Sequence, residues 1–339
     1  MNSYSRLPPD IARLARRLVG PIVIFGAGGF IGANLVRSLL LYRNDVIGVL
    51  RSPDKNWRLQ GVGDSKRNII ECDLTNLGQV RRVVRRLRPM TVFNLTAYGG
   101  YAKQSAYRRI YRTNTLAVVD LFEQLKQNPF SAFVQAGSSS EYGLNAASPS
   151  EADILKPNSH YAVSKVAVSY AMRYYGKVEK LPVVHLRLYS VYGPWEEQDR
   201  LIPTLLRHVR RGKLPRLVDP DISRDFVYVS DAVAAFILVA AKMKRSLYGE
   251  VFNVASGRKT TIRDLASMAK KLFEVVEEPV FSTMENRDWD VTQWYGNPRK
   301  IFRELHWKTR VSLEEGLQRT FSWQTAVHSD KVLGRRKHE

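Results

Sequence analysis

Residues 21–32, Pro-Ile-Val-Ile-Phe-Gly-Ala-Gly-Gly-Phe-Ile-Gly, constrain the fold of this chain more than any other stretch. Residues 21–25 are a short, unbroken apolar run rich in β-branched side chains, the pattern of a strand buried on both faces. Glycines follow at 26, 29 and 32, and Ile31, Leu35 and Leu39 then recur with helical period. A strand, a glycine turn and a helix together make an anion site. Gly26 permits the tight turn, Gly29 lets the backbone approach a pyrophosphate, and Gly32 lets helix and strand pack closely. The helix start, with Phe30 and Ile31 in its first turn, adds unpaired N–H groups and the positive end of its dipole. The spacing is G-x-x-G-x-x-G, and Gly28 also supplies the middle glycine of G-x-G-x-x-G. A plain glycine-rich turn is the competing reading, and the remaining sequence has to decide between them.

Further apolar, β-rich runs recur at 45–50, 68–71, 91–95, 132–136 and 182–188, with helical patterns between them. Such alternation predicts an α/β fold, a parallel sheet covered on both faces, and right-handed crossovers make it doubly wound. Beyond Tyr189 the pattern loosens, with prolines at 194, 203, 215 and 220, before a strand–helix pair at 225–242 and a strand at 250–254. Residues 258–325 mix helices and loops and carry four of the six tryptophans. The expected organisation is one doubly wound domain over 21–188, its sheet completed by about 224–254. A smaller, interleaved domain takes 189–223 and 255–325, and a basic tail occupies 326–339. Residues 1–20 form an amphipathic extension: Ile11, Leu14, Ala15 and Leu18 share one helix face, opposite Arg13, Arg16 and Arg17. Resting on a membrane and serving as an organellar targeting segment are alternatives. Packing on the domain is favoured, because only Gly20 separates the helix's periodic stretch from the strand.

The charge balance is unusual, with 53 basic against 32 acidic residues and a formal charge of +21. Nucleic acid or an anionic membrane is the blunt reading of such an excess. The arginines, however, are spread through helical stretches such as Arg81-Arg82-Val83-Val84-Arg85-Arg86, without an aromatic-interleaved patch. A solvated basic surface on an enzyme with phosphorylated substrates is therefore favoured, with no specific nucleic-acid partner. No apolar run approaches the ~20 residues of a membrane span. The single cysteine, Cys72, excludes an intrachain disulfide and fits a reducing compartment. With no secretory signal recognised, a cytoplasmic location is expected.

Two further motifs carry chemistry. In Tyr161-Ala-Val-Ser-Lys165, helical spacing brings the Lys165 ammonium beside the Tyr161 phenol. A nearby cation favours the phenolate and suits tyrosine to acid–base work near neutral pH. Alone, the pair also reads as a solvated helix face. Gly137-Ser138-Ser139-Ser140-Glu141-Tyr142-Gly143 follows the strand at 132–136, placing hydroxyls where doubly wound sheets bind ligands. A serine-capped polar turn is the commoner use of such a run. Glycine turn, strand-end serines and Y-x-x-x-K in this order are much less frequent by chance than any one of them.

With these motifs the chain resembles the extended short-chain dehydrogenase/reductase family, the nucleotide-sugar epimerases, dehydratases and reductases. The resemblance runs from about 21 to 323. It includes GAGGFIG (26–32), Asp73-Leu74, Asn94-Leu95-Thr96-Ala97, Asn114, SSSEYG (138–143), YAVSK (161–165), LRLYSVYGP (186–194), RDFVYVSD (224–231), FNVASG (252–257) and a terminal W-x-x-x-x-S-L-x-x-G-L (307–317). It implies a Rossmann NAD(P)-binding domain, a smaller substrate-binding domain and a homodimer built on helices at about 103–127 and 158–177. Tyr161 would be the acid/base, Lys165 would tune it and hold the nicotinamide ribose, and Ser138 would orient the sugar, with Ser139 second. Asp73 and Leu74 would flank the adenine, and Leu95 and Ala97 would complete the cofactor wall. Arg224 would meet the substrate diphosphate, with Ser139, Ser140, Ser190 and Arg200 also on the substrate side.

Departures from the family pattern narrow the reaction. Ser140 stands where dehydratases tend to carry a glutamate and 3,5-epimerase-reductases a cysteine, although Glu141 is adjacent. Hydride transfer at sugar carbon 4, by a 4-ketoreductase or 4-epimerase, is the simple reading. A 4,6-dehydratase using Glu141 is the alternative, and a non-catalytic member binding RNA is another. Ser190 replaces the asparagine of R-x-x-N. At the end of the second strand Arg51 and Ser52 stand where NAD-specific sites place an acid, which points to NADP, with NAD as the alternative.

Overall fold

The computed structural model describes residues 3–54, 56–62, 65–101, 104–282 and 291–335. Residues 283–290, in the expected substrate-side segment, and 336–339 of the basic tail lie outside them. The chain runs α1 (Pro9–Arg17), β1 (Ile22–Phe25), α2 (Phe30–Leu40), β2 (Val46–Leu50), α3 (Ser65–Asn68), β3 (Ile69–Glu71), α4 (Leu77–Leu87) and β4 (Thr91–Asn94). α5 (Tyr107–Tyr111) continues through a π-helical turn into α6 (Ala117–Leu125), followed by β5 (Ala132–Ser138), α7 (His160–Lys177), β6 (Val183–Leu188) and β7 (Ser190–Tyr192). Then come α8 (Leu201–Val209), β8 (Ser223–Arg224), β9 (Phe226–Tyr228), α9 (Val229–Ala241), β10 (Glu250–Val254), β11 (Thr260–Thr261), α10 (Ile262–Leu272), α11 (Arg299–Leu305) and α12 (Leu313–Arg335).

The large sheet has seven strands in the order β10-β6-β5-β4-β1-β2-β3, every pair parallel. Helices on both faces make it a doubly wound, Rossmann-like α/β fold, as the alternating pattern requires. β1 is buried throughout, and its side chains alternate between two cores. Ile22 and Ile24 pack with α1, α2 and α9, whereas Val23 and Phe25 pack with α4, α6 and α7. The strand order turns back between β1 and β4, and that switch point opens a crevice at the strands' carboxyl ends.

Of the segment 224–254, only β10 joins this sheet; β9 pairs with β7 and β8 with β11 in two small sheets. Helix α9 is apolar around its whole circumference because it lies between the sheet and α1 and α2, with no face left to water. Helix α1 buries Ile11, Ala12 and Ala15 against it. Both ends of α1 are fastened to the body. Asp10 accepts two hydrogen bonds from Arg310, and Arg43 donates to the Arg16 and Leu18 carbonyls at the other end. The amphipathic stripe is thus spent on the domain's own core.

Candidate active site

At the switch point, Gly26 has φ +77°, and a Cβ there would lie 2.6 Å from the Thr96 nitrogen. A Cβ on Gly32 would lie 2.3 Å from the Gly26 carbonyl oxygen, so the helix start can sit on the turn only with glycine there. Gly29 is the residue before α2 and donates its N–H to Gly26, leaving the first-turn N–H groups of Phe30, Ile31 and Gly32 without intrahelical acceptors. In front of them lies a cleft of about 870 Å³. Gly26, Gly29, Arg51, Asp73, Leu74, Leu95 and Ala97 all line it, joined by Arg108, Arg109 and Arg112 from the α5 side. Burial would raise the Asp73 carboxyl, but two hydrogen bonds from Thr75 and the charges of Arg51 and Arg109 hold it below its ordinary value. The size, glycine cradle and basic wall of this cleft fit a dinucleotide.

Ser159 caps α7 by accepting from the Ala162 N–H, which sets Tyr161 and Lys165 on the face toward β5. The Tyr161 hydroxyl is hydrogen-bonded to the Ser138 side chain. Lys165 is buried, donates to the Ala136 carbonyl at 3.1 Å, and lies 5.8 Å from the centre of the Tyr161 ring. Burial pushes the Tyr161 phenol up to about 12, opposed by the Ser138 hydrogen bond and the Arg200 charge. Burial also pulls the Lys165 ammonium down to about 8, opposed by Glu141. The expected lowering of the phenol toward neutral pH by Lys165 is thus corrected: burial outweighs the neighbouring charges, and the phenol keeps its proton at neutral pH as an ordinary tyrosine does.

Glu141 does not face the cleft. It is fully buried, with one oxygen accepting from the Ser138 N–H and meeting His185 Nε2 at 2.8 Å, and the other accepting from Arg187 Nε at 2.7 Å. Burial works against this charge, and His185 and Arg187 more than offset it, keeping the carboxyl well below its ordinary value. The alternative use of Glu141 as an elimination acid is corrected by this geometry, because both its oxygens are engaged beneath the serine turn. Ser140 donates its N–H to the Ser138 hydroxyl. Ser139 is buried and accepts from Trp294 Nε1 at 2.9 Å, so its hydroxyl oxygen is already engaged.

On the other side, Ser190 opens β7 and donates its N–H to Asp225, beside Arg224. The Arg224 guanidinium lies 5.3 Å over the Trp294 ring and donates to the Ser223 carbonyl. Arg200, before α8, lies 4.8 Å over the Tyr101 ring. The structural roles of several residues were not legible in the sequence. Asp225 accepts from Ser256, Gly257 and Gly296, tying three loops together. Asn34 donates to Pro194, while Arg58 bonds Trp195 and Glu197 and also approaches the Gly28 carbonyl. They clasp the 193–197 loop to the glycine turn. Asp225 lies in a quoted motif, R-D-F, but nothing in its spacing showed a buried acid collecting backbone N–H groups.

The family model "NAD dependent epimerase/dehydratase family" matches residues 22–255. The chain is 27% identical to UDP-glucuronate 4-epimerase 3 of Arabidopsis thaliana, over 94% of this chain and 79% of that one. Among solved structures it resembles MoeE5 in complex with UDP-glucuronic acid and NAD, at 30% identity and TM-score 0.80, over 91% of this chain and 100% of that one. It also resembles the UDP-glucose 4-epimerase of Thermotoga maritima with UDP-glucose, at 26% identity and TM-score 0.78, over 90% and 99%. The family-model match spans more than half of the chain, and the chain belongs to the NAD-dependent epimerase/dehydratase family.

Proposed function

We propose that this protein is an NADP-linked oxidoreductase acting at carbon 4 of a nucleotide-diphosphate sugar, as a 4-ketoreductase or a 4-epimerase. The observation that carries this reading is the Tyr161 phenol, hydrogen-bonded to Ser138 beside buried Lys165, in a fold whose glycine turn opens on a cleft of dinucleotide size. When bound, the nicotinamide cofactor supplies or accepts the hydride at carbon 4. Tyr161 gives the proton to the carbon-4 oxygen in reduction and takes it back in oxidation, so hydride and proton together convert ketone to alcohol. Ser138 orients that oxygen, and the Lys165 ammonium holds the ribose and restrains the phenolic charge.

Gly26, Gly29, Phe30, Ile31 and Gly32 would receive the pyrophosphate, and Asp73, Leu74, Leu95 and Ala97 the adenosine side. The domain over 21–188, with β10, takes the cofactor, while 189–223 and 255–325 take the substrate through Arg224, Ser139, Ser140, Ser190 and Arg200. NADP is supported by Arg51 in the place of an acid and by the basic wall of Arg108, Arg109 and Arg112. MoeE5, with NAD bound, makes NAD the alternative. UDP is the favoured nucleotide because relatives of known structure hold UDP-sugars. A homodimer on the α5–α7 face and a cytoplasmic location complete the reading. An RNA-binding role is not favoured, since nothing at the cleft calls for one.

Product analysis by NMR, on UDP-sugars and their 4-keto forms with each cofactor, tests this. NADPH consumed in step with a 4-keto sugar identifies the reductase, and interconversion of two sugars without net cofactor change identifies the epimerase. Net loss of water that depends on Glu141 would overturn the reading. Arg51→Asp should reverse a preference for NADPH over NADH in fluorescence titrations, and an unreversed order would show that Arg51 makes no 2′-phosphate contact.

A further inference from the structure

Resting on the reading of the cleft as a nucleotide-sugar site, we propose that Glu196 binds a ring hydroxyl of the sugar, held in place by Arg200 and Tyr101. Glu196 is only 7% exposed, yet its Oε2 is buried and has no hydrogen-bond partner among the described residues. Its Oε1 lies 4.0 Å from Arg200 Nε, too far for a hydrogen bond. Glu141 shows what a structural buried acid looks like in this protein, with both oxygens engaged. Glu196 keeps acceptor capacity that costs stability until something fills it. Its position is not slack: its N–H donates to Gly193, and the Trp195 carbonyl accepts from Arg58 at 2.7 Å. The neighbouring Glu197 is excluded from the role, being paired with Arg58 at 2.6 Å.

A chain of neighbours leads from Glu196 through Arg200 and Tyr101 to Tyr161. Arg200 stacks over Tyr101 at 4.8 Å. Tyr101 directly follows Gly99 and Gly100, where an added Cβ would lie 3.3 Å from the Tyr161 ring and 4.0 Å from its hydroxyl oxygen. Arg200 and Tyr101 both act electrostatically on the Tyr161 phenol, and Glu196 acts on Tyr101. A hydroxyl entering here finds an acceptor at Glu196 and donors at Arg200 and Tyr101. Burial pushes the Glu196 carboxyl up to about 8, so at neutral pH it carries a proton and can also donate, and a hydroxyl pairs with either form.

Calorimetric titration of the cofactor-loaded protein with UDP and with UDP-glucose tests the assignment. Glu196→Ala should weaken UDP-glucose about tenfold and leave UDP unchanged, in line with one lost hydrogen bond. Glu196→Gln keeps a donor and an acceptor and should restore most of that affinity, which a merely structural role would not separate from UDP binding. Equal losses for UDP and UDP-glucose, or no loss for either, would overturn the assignment while leaving the carbon-4 reading intact. Failure of the unaltered protein to bind UDP-glucose would instead overturn the UDP-sugar reading and this assignment with it.

Discussion

At Tyr161 and Lys165 burial disfavours the charged form of both groups, raising the phenol and lowering the ammonium. Tyr161→Phe keeps the ring and its packing but removes the proton-bearing oxygen. Turnover should fall by ~10²–10⁴-fold with cofactor affinity retained, as steady-state rates and cofactor titration would show. Lys165 sits in the structure at a cost, since its ammonium is buried and pulled from 10.5 down to about 8. Below pH 8 both folded and unfolded chains carry that proton, and the whole cost is present. Between about 8 and 10.5 the unfolded chain binds more protons, so native stability rises with pH. Lys165→Met should therefore lose turnover yet melt no lower than the unaltered protein at pH 7. Its relative advantage should shrink as pH rises through that window. A lower melting temperature at pH 7 would show instead that the hydrogen bond to Ala136 outweighs the desolvation.

At the scale of elements, the junction of β5, β6 and the serine turn is held by charge. Glu141 satisfies the Ser138 N–H and pairs with His185 and Arg187 from β6, which fixes the turn that aims Ser138 at Tyr161. Removing one partner from such a buried pair leaves the other charge uncompensated. Glu141→Gln should accordingly destabilise the fold by roughly 3–5 kcal/mol, read from denaturant unfolding. Any loss of turnover should follow from the displaced serine turn, with no change in reaction type. A variant as stable as the parent would show that Arg187 finds another partner.

For the whole molecule, the helices α5 to α7 present Tyr107, Leu116, Val163, Tyr170, Tyr174 and Val178 to solvent. On α7 the spacing of Val163, Tyr170, Tyr174 and Val178 puts them along one face. Such a face suits a second copy of the same helices. Sedimentation should give a dimer for the parent and a monomer for Tyr170→Glu, because a charge there would be buried against its own copy. The +21 charge acts at this scale too, as a long-range attraction for anionic ligands that weakens with salt, and it has no part in specifying the fold.

The parallel sheet, the glycine cradle and the neighbourhood of Tyr161 and Lys165 were legible in the chain before any contact was known. These depend on local spacing: period two or unbroken apolar runs in strands, i and i+4 on a helix, and glycine where a Cβ would strike Gly26 or Thr96. The sequence also showed the amphipathic face of α1, though not the partner that α9 and Arg310 provide. Long-range contacts were needed to place Glu141 beneath the serine turn, to draw β9 from the main sheet to β7, and to let Arg58 clasp the 193–197 loop to the glycine turn. Tertiary structure also linked Glu196, Arg200 and Tyr101 in a succession of neighbours that ends at the Tyr161 phenol. Those outcomes join residues 30 to 137 positions apart or turn on burial, and no local period encodes which distant charge will meet which.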